Sequence, residues 1–239
     1  MTREEAIKKI IFALDVKGLD EVAKWAELLS PHVGMFKVGK QLYTACGPEA
    51  VRMIRKAGGS VFLDLKYHDI PNTVAMATLE AARLGATLCD LHALGGYEMM
   101  AKTMEALDKE FSAAVRPRVL AITILTSSNE ETLRGVGIDI PVPDMVVKLA
   151  QLAKKAGVDG VVASPQEVGL IRQACGDDFL VVTPGVRPTF AATDDQKRIM
   201  TPAEAVKAGA DYLVIGRPIA AAENPVKAAE AIVEEIVAG

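Results

Sequence analysis

A single rhythm constrains this chain more than any other feature. Short runs rich in β-branched residues recur from one end to the other, each followed by a longer helix-like stretch. The runs are IIFALDV (10–16), MFKVG (35–39), SVFLDLK (60–66), LCDLHAL (88–94), RVLAITILT (118–126), GVVAS (160–164), FLVVTPGV (179–186) and YLVIGR (212–217). Between them stand amphipathic stretches such as LDEVAKWAELL and PNTVAMATLEAARLG. Several close at a glycine (Gly58, Gly85, Gly157 or Gly209), which can take the left-handed conformation that ends a helix. Strand alternating with helix builds a parallel sheet covered by helices. Eight such units in 239 residues predict a closed (β/α)8 TIM barrel, read as one domain over residues 1–239. The alternative is an open doubly wound sheet, but the first strand runs into LDVKGLDE and not into a glycine-rich GxGxxG turn. Two stretches break the rhythm. Residues 127–145 read as irregular loop, and 187–200 as a candidate mobile loop.

Composition removes several function classes. The net charge is −4, with Lys and Arg scattered among Asp and Glu, so no basic stripe offers itself to nucleic acid. The three cysteines are widely spaced, with no CxxC pair, and read as reduced, mostly buried residues with no zinc pattern. The N-terminus lacks the long apolar region of a signal peptide, and no apolar run reaches membrane-spanning length. A soluble cytoplasmic protein without a membrane partner is expected. The histidines, His32, His68 and His92, are too scattered for a convincing metal site. His68 is expected to face outward or an interface. His92 reads equally as a mouth-lining residue and as a structural one.

In a barrel of this kind the active site lies at the C-terminal ends of the strands, which converts sequence position into spatial position. Asp15 closes the first predicted strand, Lys37 is late in the second, and Asp64 and Lys66 close the third. Thr126 and Ser127 close the fifth, Arg187 follows the seventh, and Gly216 and Arg217 close the eighth. Side chains alternate faces along a strand, so Phe62, Asp64 and Lys66 share one face and Val61, Leu63 and Leu65 the other. The apolar set suits packing under helices, which turns the charged set into the barrel. Charges there are costly unless paired. Lys37 on the neighbouring strand can join Asp64 and Lys66 in an alternating network. A rim ion pair kept only for stability would explain DLK alone, but not a cluster that also gathers Asp15, Lys37 and Asp69.

A second signal lies at the end of the chain. Loops after the seventh and eighth strands of such barrels often hold phosphate at a short helix N-terminus. Gly216 lets the backbone approach an anion, and Arg187 and Arg217 can donate forked hydrogen bonds to its oxygens. Gln196 could add an amide donor.

The segments FLDLKYHDIPNT, FKVG, TPGVRP, DDQKRIMTP and YLVIGRPI together resemble the orotidine 5′-phosphate decarboxylase family, over essentially the whole chain. D-x-K-x-x-D-I-P-N-T is the specific part, since sugar-phosphate enzymes of the wider barrel group share a bare DxKxxD. The resemblance implies loss of CO2 from orotidine 5′-monophosphate to give UMP, with no metal or organic cofactor. It implies a homodimer with two shared sites, in which Lys37, Asp64 and Lys66 form a charged array with Asp69 from the other subunit, and Thr73 also crosses over. It further implies that Asp15 and Lys37 hold ribose hydroxyls, that Ser127 and the backbone near Thr126 read the pyrimidine edge, and that Pro184 lines the base pocket. Arg187, Gln196, Gly216 and Arg217 would grip the phosphate. With no cofactor as electron sink, a fixed ammonium beside C6 must stabilise the developing carbanion and return a proton, and Lys66 is the candidate. Asp64 beside the substrate carboxylate would add ground-state repulsion. Two rival readings are a metal-dependent phosphosugar enzyme of the same barrel group and a non-catalytic nucleotide-binding barrel. IPNT and LTSS weigh against the first, and the intact Lys–Asp array against the second.

Overall fold

The computed structural model describes residues 1–191 and 200–239. Eight parallel strands close into a barrel in sequence order: β1 Ile10–Ala13, β2 Met35–Gly39, β3 Val61–Tyr67, β4 Leu88–His92, β5 Arg118–Ile122, β6 Gly160–Val162, β7 Leu180–Pro184 and β8 Tyr212–Ile215. β8 returns to pair with β1. The helices are α1 Arg3–Lys9, α2 Leu19–Leu29, α3 Lys40–Cys46, α4 Glu49–Lys56, α5 Pro71–Arg83 and α6 Gly96–Glu110. The others are α7 Glu130–Gly135, α8 Val142–Lys155, α9 Val168–Cys175, α10 Pro202–Lys207, α11 Arg217–Ala220 and α12 Pro225–Ala238.

Period-two alternation divides the apolar residues between two cores. Ile11, Met35, Phe62, Leu88, Leu120 and Val182 meet inside the barrel. Their neighbours one residue along, among them Phe12, Phe36, Leu63, Cys89, Val119 and Val181, pack outward beneath the helices. The inward parity expected for Phe62 is what the structure has, and Met35 on β2 shares it.

The rim at the N-terminal ends of the strands is tied by a repeated local device. Gly85, Gly157 and Gly209 have φ of 87°, 81° and 107°, a region open to glycine at little cost. Two residues after each stands a polar side chain that accepts an N–H from the preceding strand. Thr87 Oγ1 takes Val61 N at 3.4 Å, Asp159 Oδ2 takes Val119 N at 2.8 Å, and Asp211 Oδ2 takes Val181 N at 2.7 Å. Arg116 holds Asp159 through contacts of 2.6 and 3.1 Å, and Arg172 holds Asp211 at 2.6 Å. This rim lies opposite the C-terminal ends of the strands, on the face where such barrels spend residues on stability.

Some boundaries differ from the sequence expectation. β1 stops at Ala13 and β5 at Ile122, so Asp15, Thr126 and Ser127 lie on the loops beyond. The stretch 127–145 is not irregular throughout. It holds α7, opened by a capping box in which Asn129 accepts from Thr132 N at 2.9 Å, and the first turn of α8. α1, ahead of the first strand, starts on the matching Thr2–Glu5 box.

Candidate active site

Four of the charged residues expected at the barrel mouth form one continuous array. Lys37 Nζ lies 3.6 Å from Asp15 Oδ1 and 3.2 Å from Asp64 Oδ2, and Lys66 Nζ donates to Asp64 Oδ1. The order is Asp15, Lys37, Asp64, Lys66, alternating in sign. β2 and β3 supply the spacing, because Gly39 is the register partner of Asp64 and Lys37 that of Phe62. Gly39 also keeps the space open: a Cβ there would meet Lys37 Nζ at 2.9 Å. Burial works against ionisation of Asp64. Lys37, the hydrogen bond with Asp90 and then Lys66 outweigh it and hold the carboxyl at about 2.

Lys66 owes its place to a break in the strand. Leu63 pairs with Cys89 and Tyr67 with Leu91, so β3 carries two residues more than β4 over that interval. Lys66 has φ 52°, the one positive value among described non-glycine residues. Its N–H donates to Asp90 Oδ1 at 2.7 Å and not to a strand partner. Asp90 is not among the residues the sequence reading singled out. The signal was available, since alternation from Leu88 and His92 on β4 points Asp90 inward.

Lys37, Asp64, Lys66 and Asp90 form the charged wall of a cavity of about 230 Å³. Its other walls are largely apolar: Phe62, Ile122 and Ile124, with Pro184 at the end of β7. Thr126 and Ser127 complete the lining, so the residues expected at a pyrimidine edge and the expected base-pocket proline meet the array at one cavity. A flat, partly polar ring with an anionic substituent suits such a space: apolar faces for the ring, hydroxyls for its edge and ammonium groups for the charge.

A second cavity of about 300 Å³ lies beyond β7 and β8 and is lined by both Arg187 and Arg217. Arg187 is buried, and its Nη1 donates to Val186 O at 3.1 Å. Arg217 is exposed and opens α11. Gly216 sits against the first strand, where a Cβ would stand 3.1 Å from that of Ala13. Gln196, with residues 192–199 of the expected mobile loop, lies outside the described residues.

Two residues of the motif stand apart from the array within this chain. Asp69 is exposed, accepts the N–H of Ile70 at 2.6 Å, and makes no ion pair with Lys66 among the described residues. Thr73 is exposed in the first turn of α5. His68 is also exposed, and its ring lies 5.4 Å from that of His92. Burial, then His68 and the nearby lysines, lower His92 to about 4, so it is neutral at pH 7. Among the described residues no group of three or more His, Cys, Asp or Glu is placed to hold a metal ion. Nor is any described helix long and apolar enough to cross a membrane.

Known proteins resemble this chain over its full length. The chain is 82% identical over its full length, and that of the relative, to an orotidine 5′-phosphate decarboxylase of Geobacter sp. (strain M21). It is 79% identical over the full length of both chains to the protein of that name from Geotalea daltonii. A crystal structure of orotidine 5′-phosphate decarboxylase from Lactobacillus acidophilus superposes with a TM-score of 0.83 at 38% identity, covering 95% of this chain and 98% of that one. That of the Pyrococcus horikoshii OT3 protein gives 0.76 at 25% identity, covering 95% and 99%. Residues 8–232 match the orotidine 5′-phosphate decarboxylase / HUMPS family, and the chain belongs to that family.

Proposed function

We propose that this chain decarboxylates orotidine 5′-monophosphate to UMP and CO2, the last step of de novo pyrimidine nucleotide synthesis, with Lys66 as the group that makes the reaction possible. One observation carries the mechanism: the alternating array ends in an ammonium at the wall of a ring-sized, largely apolar cavity, with a two-arginine cavity nearby. The pyrimidine lies between Phe62, Ile122 and Pro184, with its edge toward Thr126 and Ser127. Asp15 and Lys37 take the ribose hydroxyls. Arg187, Gly216, Arg217 and Gln196 take the phosphate.

In the reaction the bond between C6 and the carboxylate breaks, CO2 leaves, and the electron pair stays on C6. Lys66 faces that pair with a positive charge already fixed by Asp64, so little reorganisation is required. It then delivers a proton from Nζ to C6, which leaves UMP and a neutral amine. Repulsion between Asp64 and the substrate carboxylate is relieved as CO2 departs and adds to the effect.

The working form is a homodimer in the cytoplasm. Asp69 and Thr73 are exposed in the single chain, as residues that serve a neighbour's site would be. Large apolar side chains are exposed on neighbouring elements: Ile70 at 67% and Met76 at 46% at and within α5, and Leu94 and Tyr97 at the turn into α6, which packs against α5. Burying such a patch favours pairing. The deciding experiment mixes pure protein with orotidine 5′-monophosphate and follows the pyrimidine absorbance. Wild type should convert it, and Lys66→Ala should fall by at least about a thousandfold. Turnover that survives in Lys66→Ala would refute the role given to Lys66.

A further inference from the structure

The array accounts for four charged residues and leaves a fifth, an acid, unused. Asp90 on β4 lines the same cavity and is 1% exposed. Its Oδ1 accepts the Lys66 N–H at 2.7 Å, the amide that the bulge removed from the strand ladder. Its Oδ2 is buried and receives no N–H or O–H from the described residues, and the side-chain hydrogen-bond partner of Asp90 is the Asp64 carboxyl. The next inward acid, Asp64, is already shared by two ammonium groups.

Two carboxylates cannot both ionise cheaply in such a place. Burial, then the Asp64 charge, push the Asp90 carboxyl well above the usual carboxylate range, against a smaller opposing pull from Lys66. Tyr67 and Cys89 also interact with it, both as groups whose ionisation it disfavours, and its β5 register partner Leu120 is apolar. Lys66 is the cation that pulls on it, and Asp64 already engages that cation.

We propose that Asp90 is a positioning residue that works as a neutral carboxylic acid. Its carbonyl oxygen pins the Lys66 backbone in the bulge, and its acid proton is shared toward Asp64, which therefore stays the anion of the pair. An ionised Asp90 would do the reverse. It would add a second negative charge behind the ammonium and draw Lys66 away from C6. The inference rests on the assignment of Lys66 as the proton donor.

The test compares Asp90→Leu, which has the bulk but neither hydrogen-bonding function, with Asp90→Asn, which supplies an acceptor and an uncharged donor. Asp90→Leu should lose roughly 10- to 100-fold in kcat, the range for an interaction with a charged group, with KM little changed. Its Tm should shift by no more than a few degrees, because the apolar side chain suits the barrel interior while the Lys66 N–H loses its acceptor. Asp90→Asn should rescue most of the lost kcat. Carboxyl-carbon NMR of the wild type should show one protonated aspartate at neutral pH, absent from Asp90→Asn. The proposal is overturned if Asp90→Asn is as impaired as Asp90→Leu, if Asp90→Leu loses stability but keeps kcat, or if no protonated aspartate is found. Should Asp90→Leu fail to fold, the Asn variant and the wild-type spectrum decide. Lys66→Ala, run alongside, separates the two readings: if it stays active the parent assignment fails, whereas its inactivity with a failed Asp90 series condemns only this proposal.

Discussion

Arg217→Ala gives the sharpest measure of how a group remote from C6 contributes to decarboxylation. Arg217 stands exposed at the edge of the 300 Å³ cavity whose other arginine, Arg187, is 8% exposed. A guanidinium donating to a phosphate oxygen makes a charge-assisted contact of about 1.5–3 kcal/mol. Exposure and salt screen that contact, which places Arg217 toward the lower end: about 10- to 30-fold in kcat/KM for the nucleotide. Orotidine, the same compound without its phosphate, has nothing for Arg217 to hold. The variant should therefore match wild type on orotidine, slow as both will be. The assay is the pyrimidine absorbance change for two proteins and two substrates, with Tm recorded to show an intact fold. Equal losses on both substrates would refute the phosphate role, because they would mean that the substitution disturbed the ring site. No loss on either would refute it as well.

Four further outcomes follow from the same geometry. Mixing inactive Lys66→Ala with inactive Asp69→Ala under conditions of subunit exchange should restore about a quarter of wild-type activity, since half the dimers are then mixed and each has one complete site; no recovery would place Asp69 elsewhere. Dialysis against EDTA should leave turnover unchanged, and loss restored by a divalent metal would favour a phosphosugar-type chemistry. Asp64 is held at about 2 from an ordinary 3.8, so its stabilisation is present above the ordinary value and is lost as pH falls through the folded one. Between about pH 4 and about pH 2 wild type should lose about 2 kcal/mol more than Asp64→Asn in urea unfolding, and parallel curves would contradict the pairing. Asp159→Ala takes one of two carboxylates from the half-buried Arg116, which keeps Asp108 at 2.9 Å, and removes the acceptor of the Val119 N–H; it should destabilise the barrel by about 2 kcal/mol with kcat unaffected, which denaturation and steady-state assays together would check.

The barrel was legible because its strands obey two simple periodicities at once. Phe62, Met35 and Ile11 point in and Leu63, Phe36 and Phe12 point out, as alternation requires. Lys37 and Asp64 were legible for the same reason, being inward positions on neighbouring strands. The details of Lys66 were not. Nothing local in DLK announces a lysine at φ 52°; the bulge exists because Asp90, on another strand, takes its N–H. Strand ends were read too long where polar site residues follow apolar ones without a glycine or proline. TILTSS looks extended, but β5 stops at Ile122, and Thr123 turns its hydroxyl to Val162 O at 2.9 Å. Asp69 and Thr73 are a different case, since the roles proposed for them concern a second subunit and depend on no contact within this chain.

The charges at the mouth have no reason in folding. Directly beneath them six apolar side chains fill the barrel, and one more such layer would be neutral or stabilising by about 1–4 kcal/mol relative to buried ion pairs. The chain instead places Asp64, at 8% exposure, between two ammonium groups and beside a second acid. Alternating sign makes this tolerable and also rigid, because moving any member leaves its neighbour unpaired. Lys66 ends the row. One of its three ammonium hydrogens goes to Asp64. In the proposed mechanism and homodimer the other two serve C6 and the partner subunit's Asp69, so the charge that would meet the carbanion is oriented before the substrate arrives.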